Sequence, residues 1–339
     1  MIGMIVAALV AALLTMGVTP AVRRWAERMN AIDLPEERRV NTRPMPRAGG
    51  IAIVLGFMVA VALTVGWRQW RLPDQQIWTS QVTGVLLATG FIALAGLVDD
   101  LKNISARWQA LAITFGALIL VAFGIRIEGV SNISLVSTEG KYDPVLHWHP
   151  LGVGTSILLT VLWVFVVTKT VDAIDGVDGL AAGVCAIAAA TLALMSAQLR
   201  TPDGPTLALM ASAIVGACIG FLRHNYHPAK IIMGTIGAQT LGMALAAISI
   251  MGAFKMATAV SVVVPVLVLG VPIFDFIHVL ARRILERAPL TVADRRHLHH
   301  RLLERGWNQR QVVWFIYSVA LFLCVTAFAL FKASRPSMP

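Results

Sequence analysis

Residues 152–180 read GVGTSILLTVLWVFVVTKTVDAIDGVDGL, an apolar run that ends in three aspartates. The apolar part is long enough to cross a hydrocarbon core of roughly 30 Å as a helix. Asp172, Asp175 and Asp178 follow at three-residue spacing, which would bring them to one helix face. A carboxylate at membrane depth is costly unless it faces a cation, water or a substrate. We interpret the stretch as a span that leads into a polar site, with a solvated loop as the alternative.

Runs of this kind recur along the whole chain of 339 residues, which is 57% hydrophobic and 14% charged. Soluble domains are about a quarter charged. The sequence therefore predicts a single all-α, polytopic membrane domain over residues 1–339. The ten predicted spans are 2–22, 48–66, 79–98, 108–125, 152–170, 179–199, 206–222, 235–253, 257–281 and 312–331.

The basic residues indicate an orientation, because cytoplasmic loops are enriched in lysine and arginine. With an external amino terminus, the inner loops hold 20 of the 28 Lys and Arg residues. Both termini would then be outside. The net charge of +10 follows from this topology and from anionic lipid headgroups, so it requires no nucleic acid partner.

The polar clusters all fall at the predicted inner ends of spans. Asp99 and Asp100 end the third span, and neighbouring carboxylates repel unless a cation lies beside them. Mg²⁺, which is usually held by one or two carboxylates and substrate phosphates, is the simplest such cation, and Mn²⁺ is an alternative. The other reading is that the two aspartates mark the membrane interface and cap a loop.

Three further inner segments are basic or rich in histidine, which suits an anion, although the short basic loop of 221–234 is by itself an ordinary feature of an inner loop. They are 38–50, 221–234 and 294–302. Three histidines within four residues fit a metal site or donors to phosphate, and the nearby arginines favour the anion. The candidate substrate-binding residues in these segments are Arg43, Arg47, Asn225, His297, His299, His300 and Arg301.

Together these pieces predict a cytoplasmic cleft in which carboxylates hold a divalent cation and basic groups hold a polyphosphate. Such a cleft suits a nucleotide diphosphate donor and a lipid acceptor that enters from the bilayer, which is phosphoryl-transfer chemistry. Two other classes stay open. Intramembrane acids also mark the ion pathways of transporters and lipid flippases, and a non-catalytic scaffold would bind no nucleotide donor.

The motif order resembles one family in particular. VDD at 98–100, DAIDGVDGLAAG at 172–183, FLRHNYHPAKIIMG at 221–234 and DRRHLHHRL at 294–302 resemble motifs of the polyprenyl-phosphate N-acetylhexosamine-1-phosphate transferases, glycosyltransferase family 4. PRAGG at 46–50 fits too. The resemblance implies transfer of a sugar 1-phosphate from a UDP-N-acetylhexosamine to undecaprenyl phosphate, with release of UMP. It also implies a bacterial inner membrane protein that starts a cell-envelope polymer such as teichoic acid, lipopolysaccharide O-antigen or peptidoglycan.

The resemblance also implies roles for residues. Asp99 and Asp100 would serve Mg²⁺ and the lipid phosphate, with Asp99 as the base, and Asp175 and Asp178 would line the nucleotide and metal site. Asn225 matches the asparagine of the family's loop, and the histidines would contact the donor's phosphates or sugar. Asp99, Asp100 and Asp175 are thus the predicted catalytic residues. The PRAGG and HLHH forms resemble the branch that uses UDP-GlcNAc, with the phospho-MurNAc-pentapeptide transferases as the alternative.

Three positions depart from the family pattern. Lys169 and Asp172 stand where the family usually has asparagines, and Thr235 stands where it usually has a metal-binding aspartate. Our hypothesis is that Asp172 replaces the missing ligand, so that the metal set is Asp99, Asp100, Asp172 and Asp175. Lys169 would balance the added charge or bind a phosphate. A homologue with lost or altered catalysis is the opposing interpretation.

Three smaller expectations complete the sequence reading. The external segment 126–150 alternates in polarity and predicts a short hairpin. Pro265 and Pro272 predict a kink in the ninth span, although prolines are also tolerated in membrane helices. Small-residue patches such as Ala181-Ala182-Gly183 leave a homodimer open.

Overall fold

The computed structural model describes residues 1–34, 43–138, 141–252, 263–286 and 297–334, with the side chains of 130–148 excepted. The described chain is a helical bundle, which confirms the all-α prediction. Its helices are α1 (Ile2–Arg28), α2 (Gly50–Arg71), α3 (Ser80–Lys102), α4 (Ala106–Ala122), α5 (Val153–Ile174), α6 (Leu180–Ser196), α7 (Gly204–Asn225), α8 (Gly234–Gly252), α9 (Val263–Val268), α10 (Gly270–Leu285), α11 (Leu298–Glu304) and α12 (Gln309–Ala333).

Most of the predicted spans are present as single apolar helices. Among the described residues, seven helices are long and apolar enough to cross a membrane, and they are α1, α2, α3, α5, α7, α8 and α12. The apolar helices α4 and α6 are shorter, at 17 residues each. The chain is therefore a multi-pass membrane protein.

The ninth predicted span, 257–281, differs from one continuous helix. Residues 257–262 lie outside the described part, and the remainder forms α9 and α10 with a break at Leu269. The ring of Pro272 would clash with the carbonyl of Val268 in a regular helix, which accounts for an interruption here. The predicted kink is thus a break between two helices.

Helix α8 lies at the centre of the bundle, and all of its residues are buried. It packs against α3 and α5, and also contacts α2, α6 and α7. Gly50 and Gly237 let α2 and α8 approach so closely that a Cβ on Gly50 would overlap the backbone of Gly237. This close packing fixes where α8 begins, and its first residues form the floor of the polar site.

Two small antiparallel sheets lie at opposite ends of the bundle. Strands β1 (Ile32–Asp33) and β2 (Met45–Pro46) pair beside the start of α2. Strands β3 (Gly129–Thr138) and β4 (Lys141–Pro150) form the hairpin predicted for 126–150, between the far ends of α4 and α5. The α3–α4, α5–α6 and α7–α8 connections lie at the β1–β2 end, which we call the acidic end.

Candidate active site

The segment before α2 is joined to the segment before α8, and this junction forms one wall of the acidic end. The Ile232 N–H donates to the Pro46 carbonyl at 3.0 Å, and the Gly49 N–H donates to the Ile232 carbonyl at 3.0 Å. The PRAGG motif therefore pairs through its backbone with the end of the IIMG motif. The pairing directs the Arg47 side chain towards the end of α3, whereas Arg43 is exposed beside β2.

Asp100 fixes the start of α8. Its carboxylate accepts the Thr235 and Ile236 N–H groups at 2.9 and 3.1 Å, and Arg47 Nε lies 2.8 Å from Oδ1. Gly234 makes this possible, because its φ of +74° favours glycine and a Cβ there would overlap the Asp100 carboxylate. The Asp100 side chain is fully buried. Its contacts to Thr235 and Ile236 are those of a helix cap, which pairs N–H groups of α8 that have no partner within the helix.

Asp99 is held differently, by side chains. Thr235 Oγ1 donates to Oδ2 at 2.6 Å and Gln109 Nε2 donates to Oδ1 at 3.0 Å, while Arg47 Nη2 lies 3.8 Å from Oδ2. A carboxylate has about four acceptor positions, so each oxygen keeps one that these two hydrogen bonds do not use. Asp99 therefore retains acceptor capacity for a ligand or a proton.

Lys169 and Asp172 extend this arrangement along α5. Lys169 Nζ donates to Asp172 Oδ2 at 2.5 Å and to Gln109 Oε1 at 3.1 Å. We call Asp99, Gln109, Lys169, Asp172 and Thr235 the Asp99 network. All three positions that depart from the family pattern belong to it.

Asp175 lies where α5 ends and α8 begins, and it accepts a hydrogen bond from the Gly234 N–H. Burial raises the pKa of Asp175 well above its ordinary value, and the negative charges of Asp172 and Asp100 raise it further. Arg47 opposes the shift only in part. Asp175 is thus a buried acid whose charged form is disfavoured by burial and by two neighbouring carboxylates.

Asp178 and Asn225 are occupied by contacts to the protein itself. Asp178 Oδ2 accepts the Ala229 N–H at 3.0 Å and lies 2.9 Å from His227 Nδ1, which must carry the proton because a carboxylate only accepts. Asn225 accepts the Gly179 N–H at 3.0 Å and donates to the Ile231 carbonyl at 2.9 Å. We call Asp178, Asn225 and His227 the Asp178 tether, since together they join the loop after α5 to the loop after α7.

The histidine motif contacts this loop. Asp275 on α10 accepts the Leu298 N–H at 2.7 Å and lies 2.9 Å from His297 Nδ1, which leaves Nε2 of His297 as the ring's second polar atom. His299 is only 2% exposed, and its Nε2 points at Gly176, between Asp175 and Asp178. Burial lowers the pKa of His299 to about 3, and the charges of His300 and His297 contribute. His299 is therefore neutral near pH 7.

The other predicted residues of the histidine motif, His300 and Arg301, contact histidines. His300 packs against the His299 ring at 4.3 Å between centroids, and Arg301 Nη1 lies 3.3 Å from His278 Nε2. The preceding Asp294, Arg295 and Arg296 lie outside the described residues, as do 38–42 of the predicted basic loop.

The predicted metal set can be compared with this geometry. Within the described ranges, no group of three or more His, Cys, Asp or Glu side chains is arranged to hold a metal ion. Asp100 is engaged by three N–H donors and Asp172 by Lys169, so the four carboxylates do not converge as one ligand group. The donor chemistry still fits a hard cation, because Asp99 keeps acceptor capacity and Asp175 is a further carboxyl group with acidic neighbours, which a cation would favour in its charged form. Mg²⁺ stays a prediction.

Three residues of the site were missed by sequence reasoning. Asp275 is a buried acid inside a predicted span, and the rule that pointed to Asp172 could have found it. Gln109 and His227 gave no comparable signal, because a single amide near the end of a span, or a single imidazole in a polar loop, is common. Their contacts depend on helices that are distant in sequence.

Comparisons with known proteins agree with the motifs. The family model for glycosyl transferase family 4 matches residues 82–253. A probable undecaprenyl-phosphate N-acetylglucosaminyl 1-phosphate transferase of Bacillus subtilis is 34% identical over 98% of this chain and 87% of its own length. The decaprenyl-phosphate N-acetylglucosaminephosphotransferase of Mycobacterium tuberculosis strain H37Rv is also 34% identical, over 94% and 80%. A phospho-N-acetylmuramoyl-pentapeptide-transferase of Caldicellulosiruptor bescii is 29% identical over 85% and 83%.

Proposed function

The chain belongs to glycosyl transferase family 4, and we propose that it transfers N-acetylglucosamine 1-phosphate from UDP-GlcNAc to undecaprenyl phosphate. In this reaction an oxygen of the lipid phosphate bonds to the phosphorus that carries the sugar. The pyrophosphate bond breaks, and the bridging oxygen leaves with its electron pair on UMP. The product is a lipid-linked sugar pyrophosphate, the first membrane intermediate of a cell-envelope polymer.

The observation that carries the proposal is the meeting of three separate motifs at the acidic end. Asp99 lies at the end of α3, Asp175 at the end of α5, and His299 reaches the same α5–α6 loop at Gly176. These residues come from positions 99 to 299 of the chain, and they meet where apolar helices end. The ends of membrane-crossing helices are where a lipid phosphate and a soluble nucleotide would meet.

The residues have distinct parts in the proposed mechanism. Asp99, with its remaining acceptor capacity, orients the attacking lipid phosphate and accepts its proton when it carries one. Arg47, fixed between Asp99 and Asp100, directs positive charge towards the reacting phosphates. His297 presents Nε2 as a partner for the donor, since Asp275 holds its Nδ1.

Asp99 and Asp175 would hold the metal ion together with phosphate oxygens of the substrates, and Asp172 would join them once the cation replaces Lys169 as its partner. Asp100 is excluded because of its capping contacts. When bound, Mg²⁺ would supply positive charge that stabilises the pyrophosphate oxygens as the bond breaks. Mn²⁺ would suit the same oxygen ligands. The positive charge of Lys169 balances the negative charge of Asp172, since Nζ contacts Oδ2 directly.

We further propose that the acidic end faces the cytoplasm of a bacterium and that the protein resides in its inner membrane. Support comes from the 20 of 28 basic residues assigned to the inner loops.

Single cysteines at the exposed positions Ser105 and Gly152, in a background without native cysteines, test this orientation with an impermeant thiol reagent. Labelling of Gly152→Cys in intact cells, and of Ser105→Cys only after lysis, is expected. The reverse pattern would contradict the orientation.

The phospho-MurNAc-pentapeptide transferases are the second candidate function, favoured by the 29% identity to one of them. The two reactions share the lipid acceptor and UMP, so the donor discriminates between them. The assay follows UMP release by the purified protein in detergent, with undecaprenyl phosphate and either UDP-GlcNAc or UDP-MurNAc-pentapeptide. Reactions without lipid, with EDTA, and with Asp175→Asn are the controls.

UMP release from UDP-GlcNAc that needs both lipid and a divalent cation is the expected result. Release from UDP-MurNAc-pentapeptide alone would favour the second candidate. No release from either donor under Mg²⁺ or Mn²⁺, by protein that is folded and monodisperse, would overturn the transferase proposal and favour a catalytically altered homologue.

A further inference from the structure

Gln109 lies between a cation and the predicted catalytic base. Its side chain contacts Lys169 Nζ at 3.1 Å through Oε1 and Asp99 Oδ1 at 3.0 Å through Nε2. It is the fourth residue of α4, and it is half-buried where α3, α4 and α5 meet. Its two contacts therefore join α5 to α3 through a single amide.

The orientation of this amide follows from chemistry. The Lys169 ammonium has only donors, so it must face the amide oxygen, and the Asp99 carboxylate has only acceptors, so it must face the amide nitrogen. A flipped amide would lose both hydrogen bonds. The partners on either side thus determine which end of Gln109 meets Asp99.

The two neighbouring aspartates show why such a contact matters. Asp100 is fixed by two backbone N–H groups of α8 and by Arg47 Nε at 2.8 Å. Asp99 has no comparable backbone donor among its described contacts, and its carboxylate plane depends on Gln109, Thr235 and the more distant Arg47. A mobile carboxylate would lose the orientation that proton transfer and phosphate alignment require.

We propose that Gln109 is a positioning residue, which orients the Asp99 carboxylate and keeps the Lys169 ammonium at a distance from it. The amide is neutral, so it holds Asp99 without forming an ion pair that would occupy its acceptor positions. Lys169 fixes and polarises the amide from the far side while it is paired with Asp172. The inference rests on the proposed function, since it assigns a part in that reaction.

The test compares Gln109→Leu and Gln109→Glu with the wild type in the UMP-release assay. Leucine removes both hydrogen bonds, and we expect kcat to fall about 10- to 100-fold, as for the loss of a hydrogen bond to a charged group. Glutamate can still accept from Lys169 but cannot donate to Asp99, and it adds a repelling charge. We expect a larger fall in kcat for Gln109→Glu, with KM for UDP-GlcNAc within about threefold of the wild type for both variants.

A matched control is Gln81→Leu. Gln81 is near the other end of α3, where its amide donates to the Gly124 carbonyl at 3.2 Å. The same chemical change there should leave kcat unaltered. Melting temperatures of all variants, measured in the same detergent, separate a loss of folded protein from a loss of turnover.

A double-mutant cycle with Asp99 distinguishes positioning from general structural support. In an Asp99→Asn background, Gln109→Leu should cause little further loss of kcat, because the group that it orients is already gone. Equal and additive losses in both backgrounds would overturn the inference, as would wild-type kcat for Gln109→Leu. Folded wild-type protein without UMP release would overturn the proposed function itself, and with it any part of Gln109 in that reaction.

Discussion

The Asp99 network and the Asp178 tether lie at the same end of the bundle but use their polar groups in different ways. In the tether, Asp178 and Asn225 hydrogen bond to backbone groups of Ala229, Gly179 and Ile231. In the network, Asp99 is contacted by the side chains of Gln109 and Thr235. The residues that match the family motif at Asp178 and Asn225 hold loops together, whereas the residues that depart from it surround the predicted base.

This difference teaches how a family motif can combine two functions. A side chain that caps backbone groups cannot change without a loss of stability, because the partner groups would be left buried and unpaired. A network of side chains can change as a set, provided that charge and hydrogen bonding stay balanced. Lys169, Asp172 and Thr235 fit such a set, since they are connected through Gln109 and Asp99.

The largest expected effect tests whether Asp172 replaces the missing carboxylate at position 235. Asp172→Asn removes the added acid, and we expect UMP release to fall to the level without enzyme. Thr235→Asp alone should not raise activity, because it places a third carboxylate beside Asp99 and Asp100. Measurable activity in Asp172→Asn, or a gain in Thr235→Asp, would show that the two positions are not exchanged in this way.

The second effect concerns Asp99 itself. Asp99→Asn keeps the shape of the side chain but removes its charge and its capacity to accept a proton, so kcat should fall about 10²- to 10⁴-fold. Steady-state kinetics with varied undecaprenyl phosphate measure this change. Asp74→Asn, in the exposed connection between α2 and α3 at the opposite end of the bundle, serves as a control for the loss of one carboxylate outside the site. If Asp99→Asn has a kcat near that of the wild type, Asp99 takes no part in the reaction.

The third effect sharpens the contrast from the tether side. Asn225→Ala leaves the Gly179 N–H and the Ile231 carbonyl without their side-chain partner, which costs about 1–3 kcal/mol for each buried group left unpaired. We expect a lower melting temperature, with activity partly retained at low temperature. Thermal unfolding in detergent is the measurement. Full loss of turnover with an unchanged melting temperature would instead make Asn225 a substrate contact.

The smallest effect is a dependence of stability on pH through His299. Its pKa is about 3 in the folded protein, against an ordinary value of 6.5, so the unfolded chain binds more protons between these values. The free energy of unfolding is therefore unaffected by His299 above about pH 6.5 and falls as the pH is lowered towards 3, with a loss of about 1.4 kcal/mol at pH 5.5. Melting temperatures at pH 7.5 and 5.5 should differ less in His299→Asn than in the wild type. His278→Asn, an exposed histidine, should behave as the wild type does.

Much of this architecture could be predicted because span length and charge placement are local signals. The apolar runs gave the helices, the alternation at 126–150 gave the hairpin, and Asp99, Asp175 and His299 do meet at one end. The sequence could not show that Asp100 caps α8 whereas Asp99 is held by side chains. Adjacent residues on a helix point about 100° apart, and only the position of α8 decides which of them caps it.

The remaining features depend on contacts between segments far apart in sequence. Asp275 lies 22 residues from His297, and its hydrogen bond requires α10 and α11 to fold back on each other. Gln109 lies 60 residues from Lys169, and no pattern in the sequence relates them. Such pairs are set by helix packing, to which glycines such as Gly50 and Gly237 contribute through close approach.

The most direct measurement of the central claim is the formation of lipid-linked GlcNAc by wild type, Asp99→Asn and Asn225→Ala, assayed side by side at a temperature where all three are folded. Labelled UDP-GlcNAc and undecaprenyl phosphate are the substrates. The account predicts product from the wild type, a reduced but clear amount from Asn225→Ala, and at most about one hundredth of the wild-type rate from Asp99→Asn. Product from Asp99→Asn at the wild-type rate, or none from the folded wild type, would contradict it.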